Sequence, residues 1–156
     1  MENELKDNAG VTAPPPLIYL GPLALGLLLH AKFRVRILPR RVGRILGVSL
    51  IGIAVMIVRI AFRELGRAHT TVNPTLPTTA LVVEGPFRYT RNPLYLSLTL
   101  FYAGVALLVN ALWAMLLLPV VLIVVNRGVI DREERYLERK FGEEYLRYKE
   151  RVRRWV

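Results

Sequence analysis

Two clusters in this chain hold residues of the types and spacings that do chemistry. The first is Glu84-Gly85-Pro86-Phe87-Arg88-Tyr89-Thr90-Arg91-Asn92-Pro93-Leu94-Tyr95, and the second is Asp131-Arg132-Glu133-Glu134, with Arg127 just ahead of it. An uncharged apolar run from Leu94 to Val125 separates them. A stiff polar loop at the mouth of an apolar run, with paired carboxylates past its far end, reads as a reaction site at a bilayer surface. Asn92-Pro93 suits a helix start, with Asn capping and Pro at the first helical position. The backbone N–H groups of such a start, with Arg91 beside them, could hold a carboxylate. Equally, the segment is a stiff turn whose Arg88 and Arg91 meet lipid phosphates, with Tyr89 and Tyr95 as interfacial anchors.

The carboxylates gain meaning from the C-terminal tail. Leu137, Phe141, Tyr145, Tyr148, Val152 and Trp155 recur at helical spacing and define one apolar face of a C-terminal amphipathic helix, which Gly142 could split in two. One step of four back from Leu137 lands on Glu133, and a carboxylate on a buried stripe needs a partner or a ligand. The competing reading makes Glu133 and Glu134 a solvated pair in a first helical turn, where acids favour the positive dipole end. Asp131 is expected to cap that helix.

Composition narrows the chemistry. The chain has 156 residues, is 53% hydrophobic and carries 22 Lys and Arg against 12 Asp and Glu, for a net charge of +10. Cysteine is absent, which removes disulfides and thiolate chemistry, and His30 and His69 are isolated, so no metal site is expected. The basic tail interleaves acids with an aromatic stripe, which argues for an interfacial helix and against nucleic acid. No glycine-rich nucleotide signature and no internal repeat is evident.

The elements that must position these clusters are membrane helices. Residues 1–16 read as a mobile N-terminal tail, not a cleaved signal. Residues 17–62 hold two spans, Leu17 to Ala31 and Ile45 to Phe62. Residues 63–156 form the remaining core of loop, helical hairpin and C-terminal helix. The 32 residues from Leu94 to Val125 would extend about 48 Å as one helix, against a hydrocarbon core of about 30 Å. Two short helices joined near Asn110 absorb that length, with Pro119 tolerated inside one of them; a single steeply tilted helix is the alternative. The expected architecture is an all-α integral membrane protein of about four transmembrane helices with a cytoplasmic amphipathic C-terminal helix. With four spans, 16 Lys and Arg share the side of the loop and tail and 6 lie between Lys32 and Arg44. That asymmetry places the loop and tail in the cytoplasm, and leaves the other six to pair with lipid phosphates.

Gly85 to Tyr95, then Glu133-Glu134, then Phe141-Gly142-Glu143-Glu144-Tyr145-Leu146-Arg147-Tyr148 resemble the isoprenylcysteine carboxyl methyltransferase family, itself related to membrane phospholipid N-methyltransferases. The resemblance covers roughly residues 65 to 154. It implies an S-adenosylmethionine site at the cytoplasmic face, contacted by Thr79, Ala80, Leu81, Val82, Phe87, Asn92, Pro93, Leu94 and Tyr95 and closed by Glu133. Where the family usually has His, this chain has Asn92. Where the family places a substrate-holding Arg, it has Val129, and Arg127 or Arg132 is the expected substitute. The implied activity is methylation of a lipidic carboxylate such as that of a prenylated cysteine. The alternatives are N-methylation of a phospholipid or other lipid amine, and a noncatalytic membrane adaptor on the same scaffold. Membrane lipids and a lipidic or prenylated substrate are the expected partners, with the protein in the cytoplasmic (inner) membrane.

Overall fold

The computed structural model describes residue 10, residues 14–71 and residues 76–156; most of the N-terminal tail reading, and Pro74 of the loop, lie outside the described residues. All the regular elements among the described residues are helical. Helix α1 spans Pro15–Lys32 and α2 spans Arg40–Arg67. A short 3-10 turn, Gly85–Arg88, precedes α3, Pro93–Val109. Helix α4, Leu112–Val125, runs through a π turn at Asn126–Ile130 directly into α5, Asp131–Phe141. Helix α6, Glu143–Arg151, follows Gly142, whose φ of +53° no other side chain adopts cheaply.

The long apolar run is a hairpin, not one tilted helix, and Asn110 makes the turn. It sits in the left-handed region (φ 64°, ψ 41°) between α3 and α4, a conformation that Asn tolerates better than most residues. Its side chain also ties down the α1–α2 connection: Oδ1 accepts from the Ile37 and Leu38 N–H groups at 2.7 and 3.0 Å, and Nδ2 donates to the Leu38 carbonyl at 2.6 Å. Among the described residues, two helices are long and apolar enough to cross a membrane, α2 with 28 residues and the continuous α4–α5 helix with 30. The expected count of four exceeds what length and apolarity settle: α3 has only 17 residues, and α1, with 18, is not among the helices that are both long and apolar enough.

Small residues set the packing, as they do where helices associate without a water-driven force. A Cβ added to Gly26 would lie 2.4 Å from the Ala114 backbone, so α1 and α4 touch there; one on Gly47 would lie 2.7 Å from the Gly104 carbonyl, so α2 and α3 touch there. The core joins Tyr19 and Leu23 of α1 to Tyr102 and Ala106 of α3 and to Ala114, Val121 and Val125 of α4. Its buried hydroxyls are satisfied, Tyr19 with Thr99 at 2.9 Å and Tyr102 donating to the Ala114 carbonyl at 2.9 Å. The outer faces carry exposed Leu28, Ile45, Val48, Met56, Leu116, Val120 and Ile123, a surface suited to lipid.

Candidate active site

The loop between α2 and α3 is bound to the C-terminal helices by its backbone. The Thr78 N–H donates to the Tyr136 hydroxyl at 3.1 Å, and the Tyr148 hydroxyl donates to the Phe87 carbonyl at 2.7 Å. After Arg151 the chain leaves the helix, with Val152 extended (φ −121°, ψ 129°), and folds back along residues 90–92. There the Arg91 N–H donates to the Arg153 carbonyl at 2.9 Å, while Thr90 Oγ1 and Asn92 Nδ2 both donate to the Arg154 carbonyl at 3.0 Å. Trp155 Nε1 donates to Asn126 Oδ1 at 3.2 Å and fastens the end of the clasp. The helical stripe expected through Val152 and Trp155 therefore ends at Arg151. The backbone hydrogen bonds of the last residues go to the loop instead.

These elements enclose a cavity of about 140 Å³. Of the residues that the resemblance marks, Ala80, Leu81, Val82, Phe87, Asn92, Pro93, Leu94, Tyr95 and Glu133 line it. Thr79 does not: its N–H donates to Thr70 Oγ1 at 3.1 Å and its hydroxyl to the His69 carbonyl at 2.9 Å, which shapes the loop. Arg127 and Arg132 do not line it either. Arg127 is exposed on the π turn, and Arg132 donates to the Gly10 carbonyl at 2.7 Å. Asn92 does not cap α3 with its side chain, which is committed to the clasp, and Asp131 caps nothing because the helix runs straight through it.

Glu133 and Glu134 point to different work. Glu133 Oε1 accepts from the Tyr95 hydroxyl at 2.7 Å on the cavity wall. Glu134 has a side chain only 7% exposed; it accepts from Arg154 Nε at 3.1 Å and Nη2 at 2.6 Å, and faces Arg91 Nη1 at 3.1 Å. Arg154 Nη1 also reaches Asp131 at 2.9 Å. The Glu134 network was missed from sequence, although one step of three back from Leu137 lands on it as surely as a step of four lands on Glu133. Tyr136, Tyr145 and Tyr148 complete the wall. Burial pushes the Tyr145 phenol up to about 12, so it stays protonated at neutral pH.

The chain matches the model of the phospholipid methyltransferase family over residues 42–144, two thirds of its length. The chain belongs to the phospholipid methyltransferase family. An uncharacterized protein of Haemophilus influenzae is 46% identical over 63 residues, which are 100% of that protein and 40% of this chain. No solved structure matches. Membership in the phospholipid methyltransferase family implies a membrane methyltransferase that acts on lipid, with S-adenosylmethionine as methyl donor. The isoprenylcysteine enzymes that the sequence resembles are relatives of this family. The cavity suits that donor: an apolar wall at Ala80, Leu81 and Val82, the start of α3, and a carboxylate at Glu133.

Proposed function

We propose that this protein is an S-adenosylmethionine-dependent methyltransferase whose two reactants meet in the cavity, and that the acceptor is an amine on a lipid headgroup. The observation that carries the reading is the Glu133–Tyr95 pair on the cavity wall at 2.7 Å. S-adenosylmethionine, when bound, supplies a methyl group on a positively charged sulfur that is open to in-line displacement. An alkylammonium, with a pKa of about 10, has no lone pair to offer until it gives up a proton. Glu133 is the base within the cavity, and Tyr95, by donating to Oε1, fixes its orientation. Ala80, Leu81, Val82 and Phe87 would hold the nucleoside against an apolar face and exclude water. The rest of the rate comes from alignment and desolvation of the two reactants.

The division of access accounts for a membrane enzyme: a lipid arrives sideways between helices, while a soluble donor arrives from the cytoplasm. The 16-to-6 distribution of Lys and Arg supports a cytoplasmic site. Methylation of a prenylated carboxylate is the second reading. Such an acceptor is already ionised and needs no base, only a cation, and Arg91 on the cavity wall favours it. Arg127 and Arg132, the cations expected for that task, lie outside the cavity.

The test is calorimetric titration of S-adenosylmethionine into the detergent-purified protein, followed by methyl transfer to phosphatidylethanolamine and to farnesylcysteine in parallel. Saturable binding that disappears in Glu133→Ala and Tyr95→Ala, and persists in Arg147→Ala on the exposed face of α6, is the expected result. Binding retained by both cavity variants would overturn the site. Transfer to farnesylcysteine and not to the amine would move the assignment to the second reading.

A further inference from the structure

We propose that the protein is built for a thin bilayer, with a hydrocarbon core of about 21 Å where about 30 Å is typical, and that this match holds the cavity at headgroup level. The thin belt stands apart from the methyltransferase reading; its effect on turnover rests on that reading and deepens it. The two helices long enough to cross a membrane are much shorter in the part that lipid tails can cover. On α2, exposed Arg44 and Arg59 bracket an uncharged stretch of 14 residues, Ile45 to Val58. On the α4–α5 helix, the turn at Asn110 and exposed Arg127 bracket α4, which also has 14 residues. Either stretch rises about 21 Å, and tilt only reduces the thickness that it spans.

The two stretches share a level. A Cβ added to Gly43, beside Arg44, would lie 2.9 Å from the Leu107 carbonyl and 3.8 Å from Asn110 Nδ2, so α2 and α4 start from the same end of the bundle. That edge is backbone. The α1–α2 connection is non-helical, exposed at Arg34, Val35 and Arg36, and tied to the Asn110 turn through Ile37 and Leu38; such backbone is not tolerated against lipid tails. Snorkelling extends α2, whose ends are arginines, but not a backbone turn. At the other edge, Arg59 stands half a turn round α2 from buried Ala61, while Glu64 pairs with Arg63 and Arg67. A lipid-facing cation there is costly among tails and belongs beside headgroup phosphates.

The same edge meets the floor of the cavity. Helices α2 and α3 run antiparallel, with Gly43 against Leu107 and Gly47 against Gly104, so Arg59 comes level with Asn92 and the start of α3. From Pro93, Leu94 and Tyr95 the cavity extends to Leu65, six residues or about 9 Å beyond Arg59 along α2. A hydrocarbon edge at Arg59 therefore sets the cavity in the headgroup layer, about 5–7 Å deep, with water beyond it. A core of about 30 Å raises each edge by about 4–5 Å and brings lipid tails up past the start of α3.

The experiment reconstitutes the full chain into phosphatidylcholine vesicles containing phosphatidylethanolamine, both lipids carrying dimyristoleoyl, dioleoyl or dierucoyl chains, in order of increasing bilayer thickness. The thermal unfolding midpoint and, at saturating S-adenosylmethionine, methyl transfer to phosphatidylethanolamine are measured in each. Both should be highest in the dimyristoleoyl vesicles, with turnover lower by about tenfold in the dierucoyl ones. Arg59→Leu lengthens the uncharged stretch of α2 to the 18 residues from Ile45 to Phe62 and should move the preference toward dioleoyl chains. Arg63→Leu loses the same charge beyond the edge and should not; an equal shift in both variants overturns the edge at Arg59. A midpoint that is flat across the series, or highest in the thicker vesicles, overturns the thin belt. A midpoint highest in the thin vesicles, with turnover independent of thickness, supports the belt and overturns its role in placing the cavity. No turnover in any vesicle, with the midpoint still highest in the thin ones, overturns the amine-methylation reading and leaves the belt standing.

Discussion

At the end of the bundle where α1 passes to α2, Lys32, Arg34, Arg36, Arg40, Arg41 and Arg44 are all exposed, whereas at the opposite end Arg91 and Glu134 are nine-tenths buried. The first end is closed by a neutral side chain, Asn110, and its cations face outward. The second end turns charge inward and surrounds it with tyrosines, a helix start and a strap of C-terminal backbone. The difference teaches where to look for chemistry. Exposed charge is held at little cost by water and lipid headgroups, while buried charge demands a dedicated set of partners. Only the second end has built that set.

The largest expected effect comes from uncoupling the inward end. Glu133→Gln keeps the shape and the hydrogen bond from Tyr95 but removes the carboxylate proposed as the base, and the proposed amine methylation should fall by at least about 100-fold with little change in the unfolding midpoint. A variant that keeps wild-type turnover would show the pair to be structural and would erase the contrast between the two ends. Glu134→Gln should do the reverse, because it leaves two arginines facing a neutral amide. Losing one partner of a buried ion pair costs about 3–5 kcal/mol, and the partial exposure of Arg154, 33% at the side chain, puts the effect toward the lower end of that range. Thermal or denaturant unfolding in detergent measures it.

That two adjacent glutamates meet different partners, Tyr95 for one and Arg91 and Arg154 for the other, was half legible. The stripe through Leu137, Tyr145 and Tyr148 is visible as a periodicity, and it points back to a carboxylate. It cannot choose between Glu133 and Glu134, since helical neighbours are reached by steps of three and of four alike. The hairpin at Asn110 was legible because 32 apolar residues do not fit one ordinary crossing. The clasp was not, because Val152 and Trp155 keep the helical spacing although the chain has already left the helix. What ends α6 there is a set of long-range hydrogen bonds to residues 90–92, and periodicity carries no record of a partner sixty-odd residues away. Arg127 and Arg132 were expected because they flank Val129, where the resemblance places a substrate-holding Arg, whereas the cation on the cavity wall, Arg91, comes from the far side of the hairpin.

A smaller effect is expected at the outward end, and it should touch stability alone. Asn110→Ala removes an acceptor for two backbone N–H groups and a donor to the Leu38 carbonyl, and forces alanine to φ near 64°. The combined cost is about 2–4 kcal/mol. Asn110→Gly relieves the backbone and keeps only the loss of hydrogen bonds, so it should recover about 1 kcal/mol of that. S-adenosylmethionine affinity per folded molecule should not move in either variant. If it does, the two ends are coupled through α3 and the separation drawn between them fails.

The smallest effect belongs to the exposed cations. Arg36, Arg40 and Arg41 are exposed, so replacing all three with Gln should leave the unfolding midpoint in neutral detergent within about 0.5 kcal/mol per site of wild type. The same triple variant should behave differently beside anionic lipid, where each basic residue near the surface is worth about 1 kcal/mol. In nanodiscs the wild type should gain stability when phosphatidylglycerol replaces part of the phosphatidylcholine, and the variant should gain less. The gain should also shrink for wild type as salt is raised, because screening acts on exposed charge within about 8–10 Å. A triple variant destabilised in neutral detergent would mean that these arginines are held by the protein and not by lipid. The outward end would then be a built structure like the inward one.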